Sequence, residues 1–369
     1  MGVKDKMMQH DKLMVRMAIY CFVFVATAMS AMLYYCANKI IVVADVAQDE
    51  VVQSQPQLQS SENTTAAPVV TDKNQIAIDR NSQNTSYFCV PLPESVRPED
   101  VTVENHYMDR ELWISIEPKD MSGLNRFYDN TGVYGNCESV LDGHFDVEKS
   151  RVCLRFKLTD VYEYHSIFED STLYVDFLAP KEVYDKIIVI DPAYGLDETG
   201  VSIDSISAKD ITLEVARALK TKLDETDIKV YYTRMDDSDP DEESRVQLAA
   251  ATKADLLVRI EVSGDEDSKK YGTEAVYNSR FFIPGFGSIE LADLLEREVV
   301  TAISGKANGL LEADEDDVVI CDATVPAAAI KVGYLTNSQE AILLQREDYI
   351  QRIAEGIYQA IIKSYEEME

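Results

Sequence analysis

The rhythm of hydrophobic and polar positions changes in successive stretches of the 369-residue chain. Residues 17–38 (MAIYCFVFVATAMSAMLYYCAN) carry no charged side chain, and a run of that length crosses a hydrocarbon core of roughly 30 Å as a helix. Lys4, Lys6, Lys12 and Arg16 precede it and only Lys39 follows closely. The positive-inside rule therefore assigns 1–16 to a cytoplasmic tail, 17–38 to a transmembrane signal anchor and the rest to the outer side of the membrane. A cleaved signal peptide is the rival reading, since Ala26, Ala28, Ser30 and Ala31 offer small residues for cleavage; the length favours a retained anchor. Residues 39–86 are dominated by Gln, Ser, Thr, Asn and Asp. Such a composition buries too little apolar surface to offset chain entropy, and it predicts a flexible extracytoplasmic linker.

From residue 87 to about 182 the pattern has period two: VTVENHY, ELWISIEP, RVCLRFKL and STLYVDFL, with Asp, Asn and Gly in the breaks. That alternation predicts a small β-rich accessory domain. After Lys186 apolar runs alternate with helical periodicity, which predicts an α/β unit over 183–369 built on a parallel or mixed sheet. Strands are expected at 186–190, 228–233, 254–262, 272–277 and 327–335. Helices are expected at about 209–225, 242–252 and 288–304, with two more starting near Ser338 and Glu347.

Charge narrows the partners. Lys+Arg 35 against Asp+Glu 66 gives a formal net charge of -31, which repels phosphate backbones and argues against nucleic acid. Cys89, Cys137, Cys153 and Cys321 would lie outside the cell, where a disulfide is permitted but not required; the first three fall in one region, and small buried hydrophobes are the alternative. The lone Trp113 is read as a core anchor rather than a sugar-stacking platform. Gly285-Phe286-Gly287 and Ser304-Gly305-Lys306 lack the spacing of phosphate-binding loops. The acidic runs 236–243 and 312–317 lack calcium-loop spacing and read as solvated surface.

The ordered blocks of 186–369 are more specific. KIIVIDPAYG (186–195), SAKDITLEVARALKTKL (207–223), VYYTR (230–234), ESRVQLAAATKADLLVRI (243–260), YGTEAVY (271–277), PAAAIKVGYLTNSQEAILL (326–344) and IAEGIYQAI (353–361) together resemble the zinc-dependent N-acetylmuramoyl-L-alanine amidases of bacterial cell walls. The resemblance implies a zinc held by His, Glu and His, with a late glutamate as catalytic acid/base. Three protein ligands leave one zinc position for a water whose pKa falls toward 7. Laid onto this chain, the metal positions become Tyr194, Ala208 and Glu261, and the catalytic position becomes Lys331. Neither phenol, methyl nor ammonium suits its role, and the four histidines of the chain (His10, His106, His144, His165) all precede residue 186.

No catalytic residue, metal ligand or cofactor is therefore expected, and Tyr194, Arg259, Glu261 and Lys331 are expected to form a rebuilt site. Glu261 and Lys331 should pair across the former metal cavity, with Arg259 as a second candidate partner for Glu261. Asp191, Pro192, Asp210, Leu213, Gly333 and Asn337 remain as scaffold, with Ser338 a candidate helix N-cap. These readings imply a membrane-anchored pseudoenzyme that binds peptidoglycan or a cell-wall hydrolase or division protein. The alternative is an active amidase with a non-standard metal site.

Overall fold

A computed structural model describes residues 74–81, 85–119, 132–147, 150–280 and 282–369. The expected anchor at 17–38 and most of the expected linker lie outside these residues; the end of that linker is folded rather than flexible, since residues 77–79 pair with residues 132–134 and Ile76 is buried. Among the described residues no helix is long and apolar enough to cross a membrane. The first half holds strands β1 (Ala77–Asp79), β2 (Phe88–Pro91), β3 (Val101–His106), β4 (Glu111–Ile116), β5 (Gly132–Gly135), β6 (Val140–Val147), β7 (Val152–Leu158), β8 (Glu163–Glu169) and β9 (Thr172–Leu178). They form one sheet of order β1-β5-β2-β9-β8 and another of order β3-β4-β7-β6. Their facing sides share a core that includes Phe88, Leu112, Ile114, Leu154 and Phe156.

Trp113 is not part of that core. Alternation along β4 turns Leu112, Ile114 and Ile116 inward and sends Glu111 and Trp113 to the opposite face. There the indole stacks on His106 at 3.9 Å, lies under the Arg155 guanidinium and donates through Nε1 to Glu111. All four described cysteines, Cys89, Cys137, Cys153 and Cys321, are buried free thiols.

A short helix α1 (Pro180–Val183) leads into β10 (Ile187–Pro192), β11 (Ser202–Ile203), β12 (Ile206–Ser207), α2 (Ala208–Leu223), β13 (Lys229–Tyr232), α3 (Glu242–Thr252), β14 (Leu256–Ser263) and β15 (Thr273–Tyr277). The chain continues with α4 (Ser288–Ile303), β16 (Ala307–Glu312), α5 (Val318–Cys321), β17 (Ala327–Tyr334), α6 (Ser338–Leu343) and α7 (Glu347–Met368). The main sheet has the order β13-β10-β14-β17-β15-β16. It is parallel except where β15 runs against β17. Strands β10, β14 and β17 read as nearly continuous apolar runs because helices cover both faces.

On one face Ile188, Ile190, Val258, Ile260 and Ile330 pack with α2, α4 and α7. On the other, Ile187, Val189, Leu257 and Ala329 pack with α3 and α5. Gly356 of α7 makes the first layer tight, because a Cβ there would stand 2.5 Å from Val299 Cα in α4. The N-cap of α6 is Asn337 rather than Ser338, and its side chain accepts from the N–H groups of Gln339 and Glu340.

Strand β13 is an edge, and the preceding sheets close it. The Tyr107 hydroxyl, in the β3–β4 turn, donates to the Tyr232 carbonyl at 2.9 Å and accepts from the Tyr232 N–H at 3.1 Å. Its burial pushes the phenol up to about 12. Tyr231 adds an edge-to-face contact with Tyr107 and donates to Glu163 of β8.

Candidate functional site

The second face of the main sheet is apolar toward the start of its strands and charged further along. Period-two alternation after Ile187 and Val189 places Asp191 on this face, as it does Arg259 and Glu261 after Leu257, and Lys331 after Ala329. The register sets them in a row. Asp191 lies opposite Arg259, Glu261 opposite Lys331, and Lys331 opposite Glu274 of β15. In open α/β sheets this carboxyl end of the strands is where ligands bind.

Asp191 anchors the row, with no exposed surface. Its Oδ1 accepts from Thr233 Oγ1 and Arg245 Nη1 at 2.5 Å, and its Oδ2 accepts from Arg259 Nη1 at 2.7 Å. Burial opposes its ionisation, but the two guanidinium groups and the Thr233 hydroxyl outweigh burial and hold the carboxyl below its ordinary value. Arg245 continues to Asp239 at 2.9 Å and to the Tyr194 carbonyl. Arg234 pins the same loop by donating to the carbonyls of Pro192, Ala193, Lys209 and Asp236.

The structure brings Tyr194, Ala208, Arg259, Glu261 and Lys331 to one region, but it does not join Glu261 to Lys331. Arg259 Nε donates to Glu261 Oε1 at 2.7 Å, so a single guanidinium bridges Asp191 and Glu261. Lys331 Nζ lies instead 3.7 Å from Glu274 Oε1, whose Oε2 accepts from the Tyr334 hydroxyl at 2.7 Å. The reason is geometric: Arg259 lies two residues from Glu261 on the same strand face, and its planar fork reaches both carboxylates. The expected Glu261–Lys331 pair is thus replaced by two separate pairs.

Tyr194 takes the left-handed conformation, with φ 69°. A Cβ on Gly200 would lie 2.7 Å from the Tyr194 ring and 2.9 Å from the Ala208 Cβ, so a bare glycine separates these two positions. Burial, then the charge of Glu261, makes the phenol a weaker acid than usual.

Two further residues of the region escaped the sequence reading. Asp317 caps α5 by accepting from the Ile320 N–H, and its carboxyl is pushed up by burial and by Glu261 while Arg259 and Lys331 pull the other way. Its signal was an Asp directly before the apolar VVIC. Glu274 is an acid inside the apolar strand TEAVY, and that position alone marked it as paired.

Residues 188–363 match the family described as N-acetylmuramoyl-L-alanine amidase. The chain is 30% identical over 189 residues to the uncharacterized protein YqiI of Bacillus subtilis, covering 51% of this chain and 89% of that one. It is 28% identical over 198 residues to the germination-specific N-acetylmuramoyl-L-alanine amidase of the same organism, covering 49% and 81%. The crystal structure of the N-acetylmuramoyl-L-alanine amidase from Clostridium difficile 630 is similar to 49% of this chain over 97% of its own length, with 28% identity and a TM-score of 0.46. The chain belongs to the N-acetylmuramoyl-L-alanine amidase family.

The residues that the resemblance sets at metal positions do not have the chemistry of a zinc ligand set. A zinc ligand set needs unprotonated donors with free lone pairs. Tyr194 presents a phenol whose proton is held more firmly than usual, and Ala208 presents a methyl. Glu261 is the single carboxylate of the three, and its Oε1 is engaged by Arg259. A dication at this point would also meet the charges of Arg259 and Lys331. Among the described residues no group of three or more His, Cys, Asp or Glu is placed to hold a metal ion.

Proposed function

We propose that this amidase-family chain holds cell-wall glycan, or a wall hydrolase or division protein, without hydrolysing the muramoyl-alanine amide. Residues 17–38 would anchor it in the membrane, the part of 39–86 that precedes strand β1 would act as tether, and both the β-rich part up to 182 and residues 183–369 would face the wall. The observation that carries the reading is the Arg259 bridge: the carboxylate at a metal-ligand position is neutralised from within the chain, and the position of the catalytic acid/base holds Lys331.

The test is calorimetric titration of zinc into the full metal-stripped chain in detergent, together with release of stem peptide from purified peptidoglycan. The expected result is neither saturable zinc binding nor peptide release. Tight one-to-one binding that disappears in Glu261→Ala, accompanied by release, would overturn the proposal.

A further inference from the structure

We infer that the charged carboxyl end of the main sheet recognises the product of amide cleavage rather than its substrate, namely a glycan whose N-acetylmuramic acid carries a free lactyl carboxylate, with Lys331 as the counter-ion. The inference rests on the reading of this end of the sheet as a glycan site and names the chemical form of glycan it takes.

Hydrolysis of a muramoyl-alanine amide adds water across the C–N bond, leaving a carboxylate on the sugar and an amine on alanine. The group at the reacting centre thereby changes from neutral to anionic. A glutamate in that position, as the family resemblance implies for active members, would repel the new carboxylate, whereas an ammonium attracts it.

The geometry leaves Lys331 available for this purpose. Its ammonium makes no hydrogen bond to a described residue, and the 3.7 Å separation from Glu274 is an ion pair beyond hydrogen-bonding range. One Glu274 oxygen is already taken by Tyr334, and Glu261 is engaged by Arg259. The Lys331 side chain keeps 28% of its surface, against 8% for Arg259 and 3% for Arg245. Among these three basic groups it is the most exposed, and neither Arg259 nor Arg245 is free of a hydrogen-bonded carboxylate. The nearby Asp317 accepts through Oδ1 from the Ile320 N–H at the start of α5. The ligand would be supplied by an amide hydrolysis carried out on the glycan beforehand, which places this chain after that step.

The test is calorimetry on the full chain in detergent with two probes, the N-acetylglucosaminyl–N-acetylmuramic acid disaccharide as its free acid and the same disaccharide as its muramoyl primary amide. The free acid should bind about ten-fold or more tightly, the scale of a charge-assisted hydrogen bond. Lys331→Met should abolish the preference by weakening the free acid to the level of the amide, and Lys331→Arg should preserve it. Equal affinity for acid and amide in the parent chain, or a preference that survives Lys331→Met, would overturn the inference and leave the glycan site standing. Binding of neither probe would overturn the glycan reading of this end of the sheet, and this inference with it.

Discussion

Replacing Arg259 with methionine removes one guanidinium from between two carboxylates while keeping much of the side-chain volume. Two charge-assisted hydrogen bonds disappear, each 2.7 Å long. Asp191 retains Arg245 and Thr233, but Glu261, with 11% of its side chain exposed, loses its hydrogen-bonded cation. Each bond to a charged group contributes about 1.5–3 kcal/mol, and stripping one partner from a buried pair costs about 3–5 kcal/mol, so a loss of about 3–5 kcal/mol is expected at neutral pH. Urea unfolding of the full chain in detergent, followed by helical circular dichroism, measures it.

The pH dependence has a defined sign. The Asp191 carboxyl is held below its ordinary 3.8 in the folded chain, so its contribution is complete above about pH 4 and declines as pH falls through the lower folded value. Without Arg259 the Asp191 carboxylate takes up its proton at higher pH. The cost of the substitution should therefore shrink toward about pH 3. Adding Glu261→Gln should recover part of the loss. A cost below about 1 kcal/mol at neutral pH, the level of an exposed pair, or a cost independent of pH, would refute the bridge.

The other outcomes concern packing. Tyr107→Phe strands both backbone groups of Tyr232 and should cost about 1–3 kcal/mol, with faster hydrogen exchange at the Tyr232 amide; unchanged exchange would remove the clamp from the account. Gly356→Ala gains helix propensity of roughly 1 kcal/mol but drives a methyl into the Val299 backbone. A net loss of about 1–3 kcal/mol is expected, and a stabilised variant in urea unfolding would show that α4 and α7 move apart freely.

The elements legible in the sequence are those whose burial is simple. Strands β10, β14 and β17 are covered on both faces and read as apolar runs, and α2 and α4 show helical spacing with an apolar stripe. Strand β16 passed unread because ANGLLE carries an Asn-Gly pair and sits half-exposed at an edge. Trp113 was legible in principle, since the alternation that turns Leu112 and Ile114 inward turns the indole outward. At the site, the four family positions could be named from the resemblance to the amidase family. The partners could not, because a local pattern does not say that β15 runs against β17 and brings Glu274 to Lys331. Nor does it say that a planar guanidinium two residues away outcompetes a neighbouring strand's ammonium for Glu261.

The hydroxyl of Tyr107 has a consequence for modularity. The family match begins at residue 188, so a truncation there is the natural way to isolate the α/β unit. Such a cut removes the one phenol that occupies both the N–H and the carbonyl of Tyr232, leaving an unprotected ribbon of backbone beside the large apolar ring of Tyr231. Strands bared in this way recruit one another. Self-association of the isolated half would then reflect the loss of an intramolecular cover rather than any native assembly, and the two halves are better handled as one piece.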